Sequence, residues 1–161
     1  MTDEAPIHDP AALTRHIETR YHQRHREELP DLAALAARVE TVHAADADAP
    51  AGLAALLEKL IGELEVHMKK EELILFPAIR RGGGAIGEPI AAMRADHDDH
   101  AAGITEIRRL TQGLTLPEGA CRKWTALYQG LEVFVADLDG HIRLENDVPF
   151  PGVGVLLRFL S

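Results

Sequence analysis

Apolar residues recur along this chain at three- and four-residue spacing, the signature of one buried helical face. In the first segment the stripe reads His22, Leu29, Leu32, Ala36, Val39 and His43. The second reads Leu53, Leu57, Leu60, Leu64, His67, Glu71, Ile74 and Ala78, and the third Ile86, Ile90, Met93, His97, Ala101, Ile104 and Ile107. The fourth reads Trp124, Leu127, Leu131, Phe134, Leu138, His141, Glu145 and Val148. Asp9-Pro10 looks like a helix cap followed by a first-turn proline, and DADAPAG, the GGG at 82–84, the turn LPEG and the stop PFPG punctuate the rest. These signals predict helices over about 10–45, 50–81, 86–112 and 118–148. No segment alternates with period two, so the expected fold is all-α, an up-down-up-down four-helix bundle forming one domain over 1–161. The tail VGVLLRFLS is too apolar for a free end and is expected to fold back on the bundle.

Ionisable groups interrupt these stripes where the core should be. His67 and Glu71 stand four apart on one helix face, and His141 and Glu145 repeat the HxxxE arrangement. His97 and His22 add inward positions on the third and first segments. Burying two carboxylates together is costly unless a cation compensates them, and metal ions do so while imidazoles fill the remaining coordination positions. Carboxylate and imidazole without thiolate suit iron or manganese, and glutamates on opposed helices can each bridge two metals. At about 1.5 Å per residue, the candidates on the second and third segments come to one level, whereas the fourth would overhang by nearly two turns.

The other polar residues divide less cleanly. His43 lies on the same stripe as His22, but 21 residues of helix separate them by about 31 Å, so both reach one centre only if the chain reverses at Pro30. The continuous stripe argues for a kink there, which leaves His43 outside the ligand set. His25 and His100 are each three residues beyond a candidate, so they either support the ligands or sit on the bundle surface. His8, His16 and Glu72 read as surface residues. Asp96, Asp98 and Asp99 read as a charged face from which one carboxylate could orient a histidine. Tyr21 and Tyr128 are placed either near the centre as redox or hydrogen-bond partners or, the preferred reading, as packing residues, and Cys121 lies about 30 Å from His141, too far to be a ligand.

Composition narrows the function. With 17 Lys and Arg against 26 Asp and Glu, the net charge is −9, which repels nucleic acid. No stretch is long and apolar enough to span a membrane, and the acidic start MTDEAPIHD is unlike a signal peptide. A single cysteine permits no internal disulfide and suits a cytoplasmic location. Nine histidines in 161 residues therefore carry the functional signal.

The stretches RYHQRHREELPDL, VETVH, LEVHMKKEELILFPAI, MRADHDDH and DLDGHIRLENDVPFP, taken in order, resemble the hemerythrin-like superfamily. The resemblance is to the di-iron domain of bacterial iron–sulfur cluster repair proteins and extends from about residue 10 to 151. It implies two iron ions, oxo- or hydroxo-bridged, with Glu71 and Glu145 as bridging carboxylates and His22, His67, His97 and His141 as terminal ligands. That family also keeps a histidine at the place of His43. Its full-length members carry a small N-terminal domain with a cysteine pair, whereas this chain reaches its first helix within ten residues and has no such pair. The implied function is nitrosative and oxidative stress defence, supporting cluster repair by iron donation or NO handling. Its partners would be O₂ or NO, damaged iron–sulfur proteins and a reductant. Leu60, Leu64, Ile74, Met93, Leu138 and Ile142 are expected to wall the centre and restrict access to small, weakly polar ligands. A reversible O₂ or NO binder or sensor is the second reading. A ferritin-like oxidase or peroxidase ranks below it, since those bundles use more carboxylates and an ExxH pattern.

Overall fold

In the computed structural model the chain is described over residues 4–82 and 87–147, the side chains of 87–89 excepted. The first long helix comprises α1 (Pro10–Ile17), a π-helical turn at Glu18–His22, and α2 (Gln23–Val42). The second comprises α3 (Leu53–Lys70), a π-helical turn at Glu71–Leu75, and α4 (Phe76–Arg80). The third and fourth are α5 (Gly87–Leu110) and α6 (Arg122–Asp147). Among the described residues there is no strand. α2 packs against α3 and α6, and α5 packs against α3 and α6, which closes an antiparallel four-helix bundle. No helix of the described residues is long and apolar enough to cross a membrane.

Local chemistry sets the helix ends. Asp9 accepts a hydrogen bond from the Ala12 amide at 3.1 Å ahead of Pro10, the cap the sequence suggests. The first helix stops at Val42, and the second begins at Leu53 rather than near Pro50, because Gly52 takes a left-handed φ of 91°. Glu40, near the end of α2, accepts from the Gly52 and Ala54 amides and so caps α3 across the turn. The fourth helix starts at Arg122, later than the turn at Pro117 suggests. Gln112, Gly113 and Leu114 all have positive φ beyond α5, and Pro117 belongs to a separate turn closed by the Ala120 amide. Ile86, Val148 and the apolar tail lie outside the described residues.

The two π turns change which residues face inward. A π turn holds an extra residue, so every side chain after it is rotated relative to an uninterrupted helix. The buried stripe of the first helix passes from Leu13 and Ile17 to His22, a step of five, before resuming through His25, Leu29 and Leu32. In the second helix, Ile74 and Ala78 were the positions expected to continue the stripe beyond Glu71. Ile74 is instead 58% exposed and Ala78 half-buried, while Leu75, Phe76 and Ile79 are buried. The expectation fails because it assumes an α-helical period through Glu71–Leu75.

Two apolar clusters result. The larger runs from Leu29, Leu57 and Trp124 to Leu64, Phe134 and Leu138, and the smaller comprises Leu13, Ile17, Leu75, Phe76, Ile79, Ile90 and Met93. Between them, at one level of the bundle, lie the buried histidines and glutamates.

Candidate metal centre

All six residues singled out as ligands are buried: His22, His67, Glu71, His97, His141 and Glu145. His67 and Glu71 sit on successive turns of the second helix, as His141 and Glu145 do on α6, so each HxxxE pair converges on the bundle axis. His67 Nε2 lies 2.9 Å from Glu71 Oε1 and 3.8 Å from Glu145 Oε1. His141 Nε2 lies 2.6 Å from Glu145 Oε1 and 3.9 Å from Glu71 Oε1. One ligand atom from each of these four residues falls within 4.8 Å of all the others. His22 Nε2 adds a contact to Glu71 Oε1 at 3.2 Å, and His97 Nε2 one to Glu145 Oε1 at 3.3 Å. Around the two carboxylates the rings pair as His22 with His141 and His67 with His97, both at 5.1 Å between centroids. The π turns border this level directly: His22 ends the first and Glu71 begins the second.

Each of the four imidazoles is held from behind. The Nδ1 of His22 contacts Glu72 Oε2 at 2.8 Å, that of His67 contacts Asp96 Oδ2 at 3.1 Å, and that of His97 contacts Asn146 Oδ1 at 2.9 Å. His141 Nδ1 is 3.2 Å from His25 Nε2. With Nδ1 tethered in this way, every ring presents Nε2 to the carboxylates, the arrangement by which proteins fix metal-ligating histidines. Arg26 in turn holds Glu72 with two hydrogen bonds of 2.8 Å. The tyrosine expectation divides: Tyr21 stacks on His141 with 5.2 Å between centroids, whereas Tyr128 packs against Trp124 away from the centre.

The electrostatics call for a cation. Glu71 Oε2 and Glu145 Oε2 are buried without a hydrogen-bond partner. Buried polar atoms are rarely left so, and here two of them lie in one layer of imidazoles. Burial works against ionising Glu71, but hydrogen bonds with His22 and His67 prevail and hold its carboxyl below the usual range. Burial and the surrounding imidazoles push His141 well below its ordinary value. His67 is raised, because its contacts with Glu71 and Asp96 outweigh its burial. A pair of buried carboxylates ringed by imidazole Nε2 atoms is a donor set for transition-metal ions, and the orphaned oxygens fit their coordination.

A cavity of about 340 Å³ reaches this centre between the second and third helices, lined by His67, Glu71, Ile74, Leu75, Met93 and Asp96 among others. Of the six residues expected to wall the centre, Ile74 and Met93 line this cavity, although Ile74 does so from an exposed position. Lys70 stands at the same cavity with its Nζ 3.6 Å from Asp96.

Several supporting residues escape the sequence pattern. Glu72 is half-buried and bound to His22, not a surface residue, because it stands on the face turned to the first helix, seven residues beyond Glu65, with which it shares Arg26. Asn146 carries no spacing signal, being one residue past a ligand candidate. His25 and His100 resolve in favour of the interior, each 2% exposed, with His100 edge-on to His67. His8 is exposed and His16 half-buried. His43 is not brought to the centre: α2 runs through Pro30 without reversing, and His43 caps its far end.

Residues 13–153 match the family described as the hemerythrin HHE cation binding domain. The chain is 48% identical over 149 residues to the iron-sulfur cluster repair protein YtfE of Pectobacterium carotovorum subsp. carotovorum (strain PC1), covering 92% of this chain and 66% of that one. It is 49% identical over 140 residues to the protein of the same name from Yersinia pestis, covering 86% and 63%. The chain therefore spans slightly less than two thirds of the length of these relatives. A His/Glu cluster suited to a carboxylate-bridged pair of iron ions is present in it.

Proposed function

The chain belongs to the hemerythrin HHE cation-binding family, and from that premise we propose that it is a di-iron protein of nitrosative and oxidative stress defence. Its role in this reading is to support repair of iron–sulfur clusters, by supplying iron or by handling NO, in a reducing cytoplasm. The observation that carries it is the pair of buried glutamates whose unpartnered oxygens stand among four Nε2 atoms. The relatives named as iron–sulfur cluster repair proteins supply the direction of the function.

In this reading Glu71, Glu145, His22, His67, His97 and His141 would hold two iron ions. Iron held there would supply a redox couple and a binding site for a diatomic molecule. The protein's own residues do the rest. Glu72, Asp96, Asn146 and His25 hold the four rings in place, so metal uptake requires little rearrangement. The largely apolar cavity beside His67 and Glu71 favours small, weakly polar molecules and limits bulk water. Release follows from the same donors, since carboxylates and imidazoles that take up protons cease to be ligands.

The test is metal content by elemental analysis, on protein purified anaerobically from iron-supplemented cells, beside a Glu71→Ala/Glu145→Ala double variant. Two irons per chain, lost in the variant, and transfer of that iron to a cluster-free iron–sulfur protein are the expected results. Near-zero metal in both proteins would remove the di-iron reading. The cavity favours a second reading, reversible O₂ or NO binding, and a diatomic adduct that dissociates unchanged without iron loss would select it.

A further inference from the structure

His43 and the single cysteine remain outside the metal centre, and the fold brings them together at the opposite end of the bundle. His43, the residue that closes α2, places its Nε2 3.2 Å from the Sγ of Cys121, which precedes the first residue of α6. The thiol is this imidazole's one hydrogen-bond partner among the described residues. The ring leans on Trp124, with 4.7 Å between centroids. Cys121 immediately precedes α6, and the backbone amides of Trp124 and Lys123 in that helix's open first turn favour negative charge on the sulfur. Both His43 and Cys121 are partly exposed, so a small molecule can reach the pair.

We propose that Cys121 and His43 form a thiol–imidazole pair that exchanges with low-molecular-weight disulfides, making Cys121 a site of reversible S-thiolation. A nucleophile within hydrogen-bond reach of a base, with the base seated against a third group, is the geometry that activates a thiol. The amides at the helix start add partial positive charge where the thiolate's negative charge develops.

The surroundings do not oppose this. Arg122 and Lys123 follow the cysteine and are exposed, and the carboxylate of Glu118 is on the exposed connection before it. On the facing end of the first helix, Glu40 is engaged by the Gly52 and Ala54 amides, and Asp46 by the Asp48 amide. Asp48 contacts Gln112. Among the described residues no carboxylate pairs with His43. The amides and the imidazole together hold the thiol below its ordinary range.

In the exchange, the Cys121 thiol passes its proton to His43 Nε2, and the thiolate attacks one sulfur of the small disulfide. A protein–small-molecule S–S bond forms as the original S–S bond breaks. The departing thiolate takes the electron pair and a proton from the imidazolium, so one thiol and one disulfide are consumed and one of each is produced. A small thiol reverses the step. About 30 Å of α6 separates Cys121 from His141, so the site and the metal centre are tested independently.

The experiment follows the reaction of the full chain with 2,2′-dithiodipyridine as a function of pH. Because the chain has one cysteine, every adduct reports this site. Each unit by which a thiol's pKa falls gives about tenfold more thiolate near neutrality, offset about threefold by lower intrinsic nucleophilicity. The native protein should therefore react at pH 6.5 several-fold faster than the same chain unfolded in guanidinium, with the midpoint of its profile below the ordinary thiol range. His43→Gln, which donates a hydrogen bond but takes no proton, should shift the midpoint upward and lose most of the advantage at pH 6.5. The two proteins should converge above pH 9. Titration of thiolate absorbance against Cys121→Ser gives the same midpoint without any change at His43, and stays decisive if His43→Gln is poorly folded. A native midpoint equal to that of the unfolded chain, or an unchanged profile in a folded His43→Gln, would overturn the proposal.

Discussion

The tether behind His141 offers a quantitative test of the metal centre. His141 Nδ1 contacts His25 Nε2 at 3.2 Å, and both rings are buried. When Nε2 of His141 is directed to the carboxylates and a metal, its proton resides on Nδ1 and His25 is the acceptor. His25→Leu keeps the site filled and apolar but leaves that buried N–H without a partner, a loss on the order of 1–3 kcal/mol. Removing such a tether weakens metal binding about 10- to 100-fold, and burial places this one near the upper end. Asp96 tethers His67, but its side chain is 26% exposed, so in Asp96→Ala water replaces the lost acceptor and the loss should be about tenfold or less. In His25→Gln the amide oxygen accepts from His141 Nδ1 and should recover most of the affinity. The assay is anaerobic competition for iron(II) against a coloured chelator, with circular dichroism as a control for folding. The reasoning fails if His25→Leu binds iron like the native chain, if His25→Gln is no better than His25→Leu, or if Asp96→Ala costs more.

Other outcomes follow from the packing and the titrating groups. Leu75→Asn should cost on the order of 2 kcal/mol or more in chemical denaturation, whereas Ile74→Asn should stay within about 0.5 kcal/mol, which tests the inward register set by the π turn. Gly62→Ala meets nothing within 4 Å and should raise the melting temperature through about 0.5–1 kcal/mol of helix propensity. At Gly130 an added Cβ would come 2.5 Å from Leu32 Cδ2, so Gly130→Ala should lower the melting temperature despite the same gain in propensity. Burial first, and neighbouring imidazoles second, push His25 and His100 from 6.5 down to about 4. The unfolded chain therefore takes up these protons near pH 6.5 and the folded chain only near pH 4. Chelator-treated protein should lose stability progressively across that window, by up to about 3 kcal/mol for each histidine. His100→Leu should flatten the pH dependence of its denaturation midpoint, and an unchanged slope would contradict the burial argument.

The bundle and its buried layer of histidines and glutamates were legible because both are periodic. Leu53, Leu57, Leu60 and Leu64 lead by regular steps to His67 and Glu71, and Leu131, Phe134 and Leu138 lead likewise to His141 and Glu145. What escaped the pattern lies where the period changes or where a contact joins distant helices. Ile74 was misplaced because nothing in EELIL announces a π turn. Glu72 was misplaced because its partners His22 and Arg26 are about fifty residues earlier in the chain. The start of α6 was placed too early because Pro117 is a plausible first-turn residue. It stands instead in a turn of its own, beyond a stretch of positive φ.

The two π turns and the polar layer have one physical explanation. A regular α-helix offers an inward position about every 3.6 residues, and ligands from four helices must meet at one height with their Nε2 atoms aimed at one point. In the second helix HxxxE supplies a histidine and a glutamate from one stripe, after which the chain must still cover the site with apolar residues. An α-helical continuation would keep Ala78 on the inward line and carry Phe76 to the far side. The inserted residue instead directs Leu75, Phe76 and Ile79 into the smaller cluster, with Phe76 stacked on His22 at 5.8 Å between centroids. The first π turn does the same from the other direction, separating the buried Ile17 from His22 by five residues. Each turn thus leaves an apolar cap on one side and the larger core on the other, with ionisable groups confined to a single layer. Such a layer is costly as bare carboxylates and imidazoles and favourable around cations. The buried polar layer and the local departures from α-helical geometry are in this sense one feature of the fold.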